Sequence, residues 1–189
     1  MFEKEDLKNA LQVLRNGGVI LYPTDTVWGL GCDATNAEAV KRIFEIKRRE
    51  DTKSMLVLME NPNMLHAYIK EVPEIAWELI EVTDKPLTII YPGAKNLAPN
   101  LIAEDGTIGI RITSETFTEH LIQQFRRPIV STSANLSGKQ TPQNFHQIEE
   151  EILSAVDYVV LYRQDDTTKS KPSSIIQLGL GGQIQIIRP

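Results

Sequence analysis

The strongest constraint on the fold is a set of short, nearly continuous apolar runs. They lie at 19–22 (VILY), 55–59 (MLVLM), 87–91 (LTIIY), 107–112 (TIGIRI) and 128–130 (PIV). Each is too short for a typical helix and too uniformly apolar for a strand with one wet face, so each reads as a strand buried on both faces. Between them the apolar period changes to three and four. Residues 6–15 place Leu7, Ala10, Leu11 and Leu14 on one side, and Gly17-Gly18 ends the pattern. A second helix is predicted behind Asn36 as its cap, with Ala39, Val40, Ile43 and Phe44 as its inner stripe. Helical patterns recur at 74–82, at 115–125 with Ser114 as the expected cap, and over roughly 144–155. Further strands are expected at 158–161, 174–178 and 183–187, and 165–171 reads as a polar, mobile loop. Strands interleaved with helices predict an α/β chain, a three-layer single domain over 1–189 around a twisted sheet with parallel and antiparallel neighbours. A chain of 189 residues can bury roughly 70% of its unfolded surface, so it needs neither disulfide nor metal to fold.

Several function classes drop out on composition. Cys32 is the single cysteine, so there is no internal disulfide, which suits a reducing, cytoplasmic compartment. His66, His120 and His146 sit in no recognisable catalytic context, and Cys32 reads as a small buried thiol rather than a nucleophile. No run of 18 apolar residues occurs and the first ten residues, MFEKEDLKNA, are polar, so neither a membrane span nor a signal peptide is expected. Twenty basic against 25 acidic residues give a net charge of −5, a poor basis for the broad basic face of an RNA-binding module. GxxxxGK[ST], GxGxxG and metal-ligand spacings of Cys and His are all absent.

Against that background, polarity intrudes at three places where core is expected. KRREDTK (47–53) gathers charge at the end of the second helix. Residue 47 follows Ile43 by four and Phe44 by three, so Lys47 continues the inward stripe, whereas Lys41, Arg42 and Glu45 face outward, where Glu38–Arg42 and Lys41–Glu45 can pair. An inward lysine either snorkels or faces a cleft that holds an anion, and Arg49 and Lys53 follow in the loop toward 55–59. Arg111 is the second intrusion. It shares a strand face with Gly109, opposite Ile108, Ile110 and Ile112, and a structural carboxylate or a ligand phosphate would each satisfy it. The third is PIVSTSANLSG (128–138), where an apolar strand runs into hydroxyls and an amide, the place where open α/β sheets bind ligands.

Taken together, YPTDTVWGLGCDA (22–34), Lys47-Arg48-Arg49 with Lys53, GIRI (109–112), STSANLSG (131–138) and KPSSIIQL (171–178) resemble the YrdC-like L-threonylcarbamoyladenylate synthases, in order and over nearly the whole chain. The resemblance implies an enzyme of the single-domain type that joins L-threonine, bicarbonate or CO2, and ATP into threonylcarbamoyl-AMP with release of pyrophosphate. Partner proteins of the threonylcarbamoyl-transfer machinery would carry the group to tRNA, which the enzyme itself could also touch. By the same resemblance, Lys47, Arg49 and Lys53 would hold ATP phosphates and carry the catalysis. Ser133 and Asn135 would line the place where threonine meets the nucleotide, and Arg111 and Ser173 would complete the polar walls. Thr24 and Thr26 would contact threonine or its carbamate, and magnesium would arrive with ATP. Three departures stand out: Ser54 where the family usually has proline, Leu58 near a usual histidine, and DKPLT (84–88) for WPGPLT. They leave open a relative acting on another carbamoylated amino acid, beside the non-catalytic nucleotide- or RNA-binding alternative.

Overall fold

The computed structural model describes residues 1–48, 55–169 and 171–189. Arg49, Lys53 and Ser54, all singled out above, lie outside the described residues. The chain opens with α1 (Lys4–Arg15), then β1 (Ile20–Tyr22), β2 (Gly29–Gly31) and α2 (Ala37–Lys47). Next come β3 (Leu56–Met59), the single turn α3 (Leu65–Tyr68), α4 (Glu74–Val82), β4 (Leu87–Tyr91) and β5 (Ile108–Ile112). It ends with α5 (Thr116–Phe125), β6 (Ile129–Ser133), α6 (Glu150–Ala155), β7 (Tyr158–Val159), β8 (Ser174–Leu178) and β9 (Ile184–Arg188).

The nine strands among the described residues form one mixed sheet in the order β7-β1-β2-β6-β3-β5-β4-β8-β9. The pairs β1–β7, β3–β5 and β4–β8 are parallel, and the remaining neighbours are antiparallel. The mixed α/β reading therefore holds. The central strands are buried on both faces, as their unbroken apolar runs require: Ile20, Leu21, Val57, Leu58 and Val130 have no exposed surface.

The local physics matches the sequence at α1 and α2. Leu7, Ala10, Leu11 and Leu14 are buried, and the Asn36 side chain accepts from the amides of Glu38 and Ala39. Other expectations change. Glu115, not Ser114, caps α5, its carboxylate accepting from the Thr118 amide at 2.8 Å. The long helix over 144–155 resolves into a 3-10 turn (Phe145–Gln147) and the six-residue α6. The strand begun at 128–130 continues through Ser133, because Gly29 and Leu30 of β2 pair with Ser133 and Thr132. β2 has no counterpart among the strands expected from the sequence. Arg42 reaches Asp157 at 2.6 and 3.2 Å rather than Glu38, and Asp157 also accepts from the Val19 amide, so this outward arginine fastens α2 to the start of β1.

Candidate functional site

Alternation along the strands collects the unusual residues on one side of the sheet. Cross-strand partners share a face, and the pairs Gly29–Ser133, Leu56–Ser131, Leu56–Gly109, Thr88–Arg111, Thr88–Ile175 and Ile175–Arg188 run across seven strands. Where this face is built from glycine and small hydroxyl residues the surface sinks into a cleft of about 510 Å³, a size suited to a nucleotide or a similar small molecule. Thr26, Arg111, Ser133 and Ser173 line it.

The loop between β1 and β2 forms one wall, and its hydroxyls have fixed polarity. The Thr24 hydroxyl donates to the Val27 carbonyl at 2.6 Å, since a carbonyl can only accept. Its oxygen is then left to accept from the Thr26 amide and the Thr26 hydroxyl, both at 3.1 Å. The Thr26 oxygen in turn accepts from Arg111 Nη2 at 3.3 Å. Thr26 therefore offers a bound molecule an acceptor and not a donor. Thr118 donates to the Pro23 carbonyl at 2.9 Å and Arg163 to the Thr24 carbonyl at 3.4 Å, which hold the loop from behind.

Arg111 finds its carboxylate in that same loop. Its Nη2 lies 2.9 Å from Asp25 Oδ1, and both side chains are buried, at 3% and 5% exposure. Asp25 thus supplies the structural carboxylate, and Arg111 lines the cleft as well. The pair is a close charge contact, while neither Asp25 oxygen nor Arg111 Nε has a hydrogen-bond partner among the described residues. The guanidinium keeps an uncommitted donor.

Lys47 points inward, as its place on the stripe requires, and it is 2% exposed. Its ammonium donates to the carbonyls of Ser133 and Asn135, at 2.5 and 2.7 Å. The Lys47 carbonyl accepts from the Ser137 amide. Lys47 thus clasps the segment leaving β6 and sits behind Ser133 rather than among the described residues lining the cleft. Asn135 also serves that turn, its Nδ2 donating to the Leu136 and Lys139 carbonyls. Opposite, Ser173 bonds Thr88 at 2.9 Å.

Sequence reasoning missed Arg188. It lines the cleft and donates to the Ser173 carbonyl at 2.8 Å and towards the Ser173 hydroxyl at 3.4 Å. Alternation from Ile184 and Ile186 does not reveal it, because a register shift pairs Ile186 with Ile176 but Arg188 with Ile175, on the opposite face.

Ionisable groups around the loop are perturbed for identifiable reasons. Burial raises the Glu115 carboxyl above its ordinary value, opposed by donors from Thr118 and by the charge of Arg163. Asp166, held by the Thr168 hydroxyl and amide and by Arg163, is lowered to about 2. Burial raises the Cys32 thiol strongly, so it is an inert core group, as read from its sequence context. No helix among the described residues is long and apolar enough to cross a membrane.

The family model described as Telomere recombination, covering Sua5, YciO and YrdC, matches residues 12–189. The chain belongs to the Sua5/YciO/YrdC family. A curated threonylcarbamoyl-AMP synthase of Pseudoalteromonas translucida is 33% identical over 163 residues, covering 85% of this chain and 87% of that protein. A putative threonylcarbamoyl-AMP synthase of Methanocaldococcus jannaschii is 35% identical over 183 residues, 93% of this chain and 83% of its own. Among solved structures, Pyrococcus abyssi Sua5 complexed with L-threonine superposes with a TM-score of 0.84 at 28% identity over 94% of this chain, which spans 52% of that Sua5 chain.

Proposed function

We propose that this chain is a threonylcarbamoyl-AMP synthase, which condenses L-threonine, bicarbonate or CO2, and ATP and releases pyrophosphate. The observation that carries this reading is the cleft on the sheet face: one wall of threonine hydroxyls, another of serines, and guanidinium groups from Arg111 and Arg188 reaching it from different strands. That arrangement suits a ligand with an anionic, phosphate-bearing part and a small polar part.

In this mechanism threonine is first N-carboxylated. A carbamate oxygen, already ionised, then attacks the α-phosphate in line, and pyrophosphate leaves. No side chain has to remove a proton from that oxygen, so the reaction needs alignment and charge neutralisation more than a base. Alignment alone can lower such a barrier by roughly 7–11 kcal/mol. Thr26, presenting an acceptor, suits a hydroxyl or N–H of the amino acid. Ser133 and Ser173 face the junction with the nucleotide. Arg111, Arg188, Arg49 and Lys53 neutralise phosphate oxygens, and Lys47 acts through the carbonyls of Ser133 and Asn135 by fixing the β6 end against which the nucleotide lies.

Magnesium enters as a companion of ATP. No three His, Cys, Asp or Glu side chains converge among the described residues, so they offer no cage of their own and no step is assigned to the metal. The product would pass to partner proteins that modify tRNA, in the cytoplasm. The test is pyrophosphate release from ATP and bicarbonate with each amino acid supplied in turn. Release that requires threonine and yields an acyl-AMP is expected. Release of ADP, or indifference to threonine, refutes the assignment, and preference for another amino acid would mark a relative with changed specificity.

A further inference from the structure

Arg163 stands outside every motif that carried the functional reading, yet it joins three separate parts of the chain. Its Nη1 donates to the Thr24 carbonyl at 3.4 Å and lies 3.7 Å from the Glu115 carboxylate at the start of α5. Its Nε and Nη2 both donate to Asp166 Oδ2, at 3.0 and 2.8 Å. The residue has a φ of +66°, a left-handed conformation that side-chain-bearing residues rarely adopt. That turn closes through a bond from the Asp166 amide to the Arg163 carbonyl at 3.1 Å. Downstream, the same segment continues through Thr168 to Pro172 and Ser173, which line the opposite part of the cleft.

We propose that Arg163 is a positioning residue for amino-acid recognition, one that fixes the Thr24–Thr26 loop in register with α5 and with the 163–168 turn. This rests on the threonine-dependent reading of the cleft. Its reasoning is geometric. The hydroxyl relay from Arg111 through Thr26 and Thr24 to Val27 is set by distances of 2.6 to 3.3 Å, and hydrogen bonds weaken steeply when such geometry slips. Two backbone carbonyls anchor the loop from outside, Pro23 to Thr118 and Thr24 to Arg163. Only the second anchor is a charged, forked group that also holds the next segment of the cleft's surroundings. Arg163 is not itself among the residues lining the 510 Å³ cleft. Its loss should therefore displace the acceptor at Thr26, while Arg188 on the far side of the cleft keeps its bonds to Ser173.

The experiment compares the parent with Arg163→Met, which keeps the aliphatic stem, and Arg163→Lys, which keeps one point charge. Threonine and ATP are varied separately in the pyrophosphate assay. Arg163→Met should raise KM for threonine by roughly ten- to hundredfold, as expected of a displaced contact, with a clearly smaller rise in KM for ATP. Arg163→Lys should recover part of the loss. Amide hydrogen exchange across 24–27 should accelerate in Arg163→Met, a readout independent of activity. Equal rises in both KM values, or a lower melting temperature with unchanged threonine KM, overturn the proposal. If the parent itself shows no threonine-dependent turnover, the functional reading fails, and the exchange measurement then decides whether Arg163 holds the loop: unchanged protection at 24–27 refutes it.

Discussion

Replacing Lys47 separates two roles that one buried lysine could play. The ammonium sits 2.5 and 2.7 Å from the Ser133 and Asn135 carbonyls, on a side chain with 2% exposure. A hydrogen bond to a charged group contributes roughly 1.5–3 kcal/mol, and the orphaned carbonyls would be buried, so Lys47→Met should cost about 3–6 kcal/mol. For a chain of 189 residues, each kcal/mol moves Tm by roughly 2–4 °C, giving a fall of about 6–24 °C. Methionine retains the apolar stem, so the loss reports the ammonium rather than the packing. Lys41 carries the same charge on the same helix, but its side chain is 59% exposed. Lys41→Ala should stay within about 0.5 kcal/mol. Melting curves of both variants with and without ATP make the measurement. ATP affinity should fall in Lys47→Met as a consequence of the loosened β6 end, together with stability. Parental melting combined with lost ATP affinity would refute this reasoning and make the Lys47 ammonium a direct phosphate ligand.

Three further outcomes follow from particular contacts. A Cβ at Gly31 would lie 2.5 Å from a Tyr22 ring carbon and 2.8 Å from the Val130 carbonyl, whereas at Gly109 the nearest atom is 3.4 Å away; in urea titrations Gly31→Ala should lose about 1–3 kcal/mol and Gly109→Ala should melt near the parent. Arg111→Met leaves the Asp25 charge buried and alone, a cost of about 3–5 kcal/mol, and adding Asp25→Asn should restore part of it, since the double variant buries no charge there. Asp157 is held below the ordinary carboxylate range, chiefly by its bond from Arg42, so its stabilisation is present above that range and lost as pH falls through the lowered value. Glu115, raised by burial, has the opposite sign: its contribution is full below the ordinary carboxylate value and lost as pH rises through the raised one. Asp157→Asn, half-exposed and so worth under about 1 kcal/mol at neutral pH, should converge on the parent in acid, and Glu115→Gln should gain on the parent as pH rises.

The central strands were legible because burial on both faces leaves a direct mark, an unbroken apolar run. β2 was not legible, because Gly29-Leu30-Gly31 carries a single large apolar residue and its strand character comes from neighbours. Gly31 is pressed against Tyr22 and Val130, so only glycine fits between them, and a residue chosen for what it lacks leaves no propensity signal. The same holds for β6, whose polar half reads as turn chemistry until pairing with β2 and β3 makes it strand. The helix over 144–155 failed for a related reason. Its apolar spacing was real, but Ile148 sits in an extended conformation between the 3-10 turn and α6, and spacing alone does not report backbone direction.

The site shows where periodicity stops being informative. It fixes the side of an element on which a residue lies, so it placed Lys47 inward and Arg111 opposite the isoleucines of β5, both as found. What each meets there depends on a segment far away in the chain. Lys47 meets carbonyls 86 and 88 positions on, Arg111 lies beside Thr26, 85 positions back, and Arg42 meets Asp157, 115 positions on. An inward cation facing a phosphate and one facing a carbonyl have the same local sequence, since a helix or strand encodes its own face and not its partner's. The partner is set by sheet order, which brings β6 between β2 and β3 and so puts the carbonyls leaving β6 beside the end of α2. For this reason Arg163 and Arg188, which lie in a loop and on an edge strand, escaped notice while the motif residues did not. Loops and edges carry no inward stripe for a polar residue to interrupt, so a cation there shows its purpose only through the residues that its guanidinium touches.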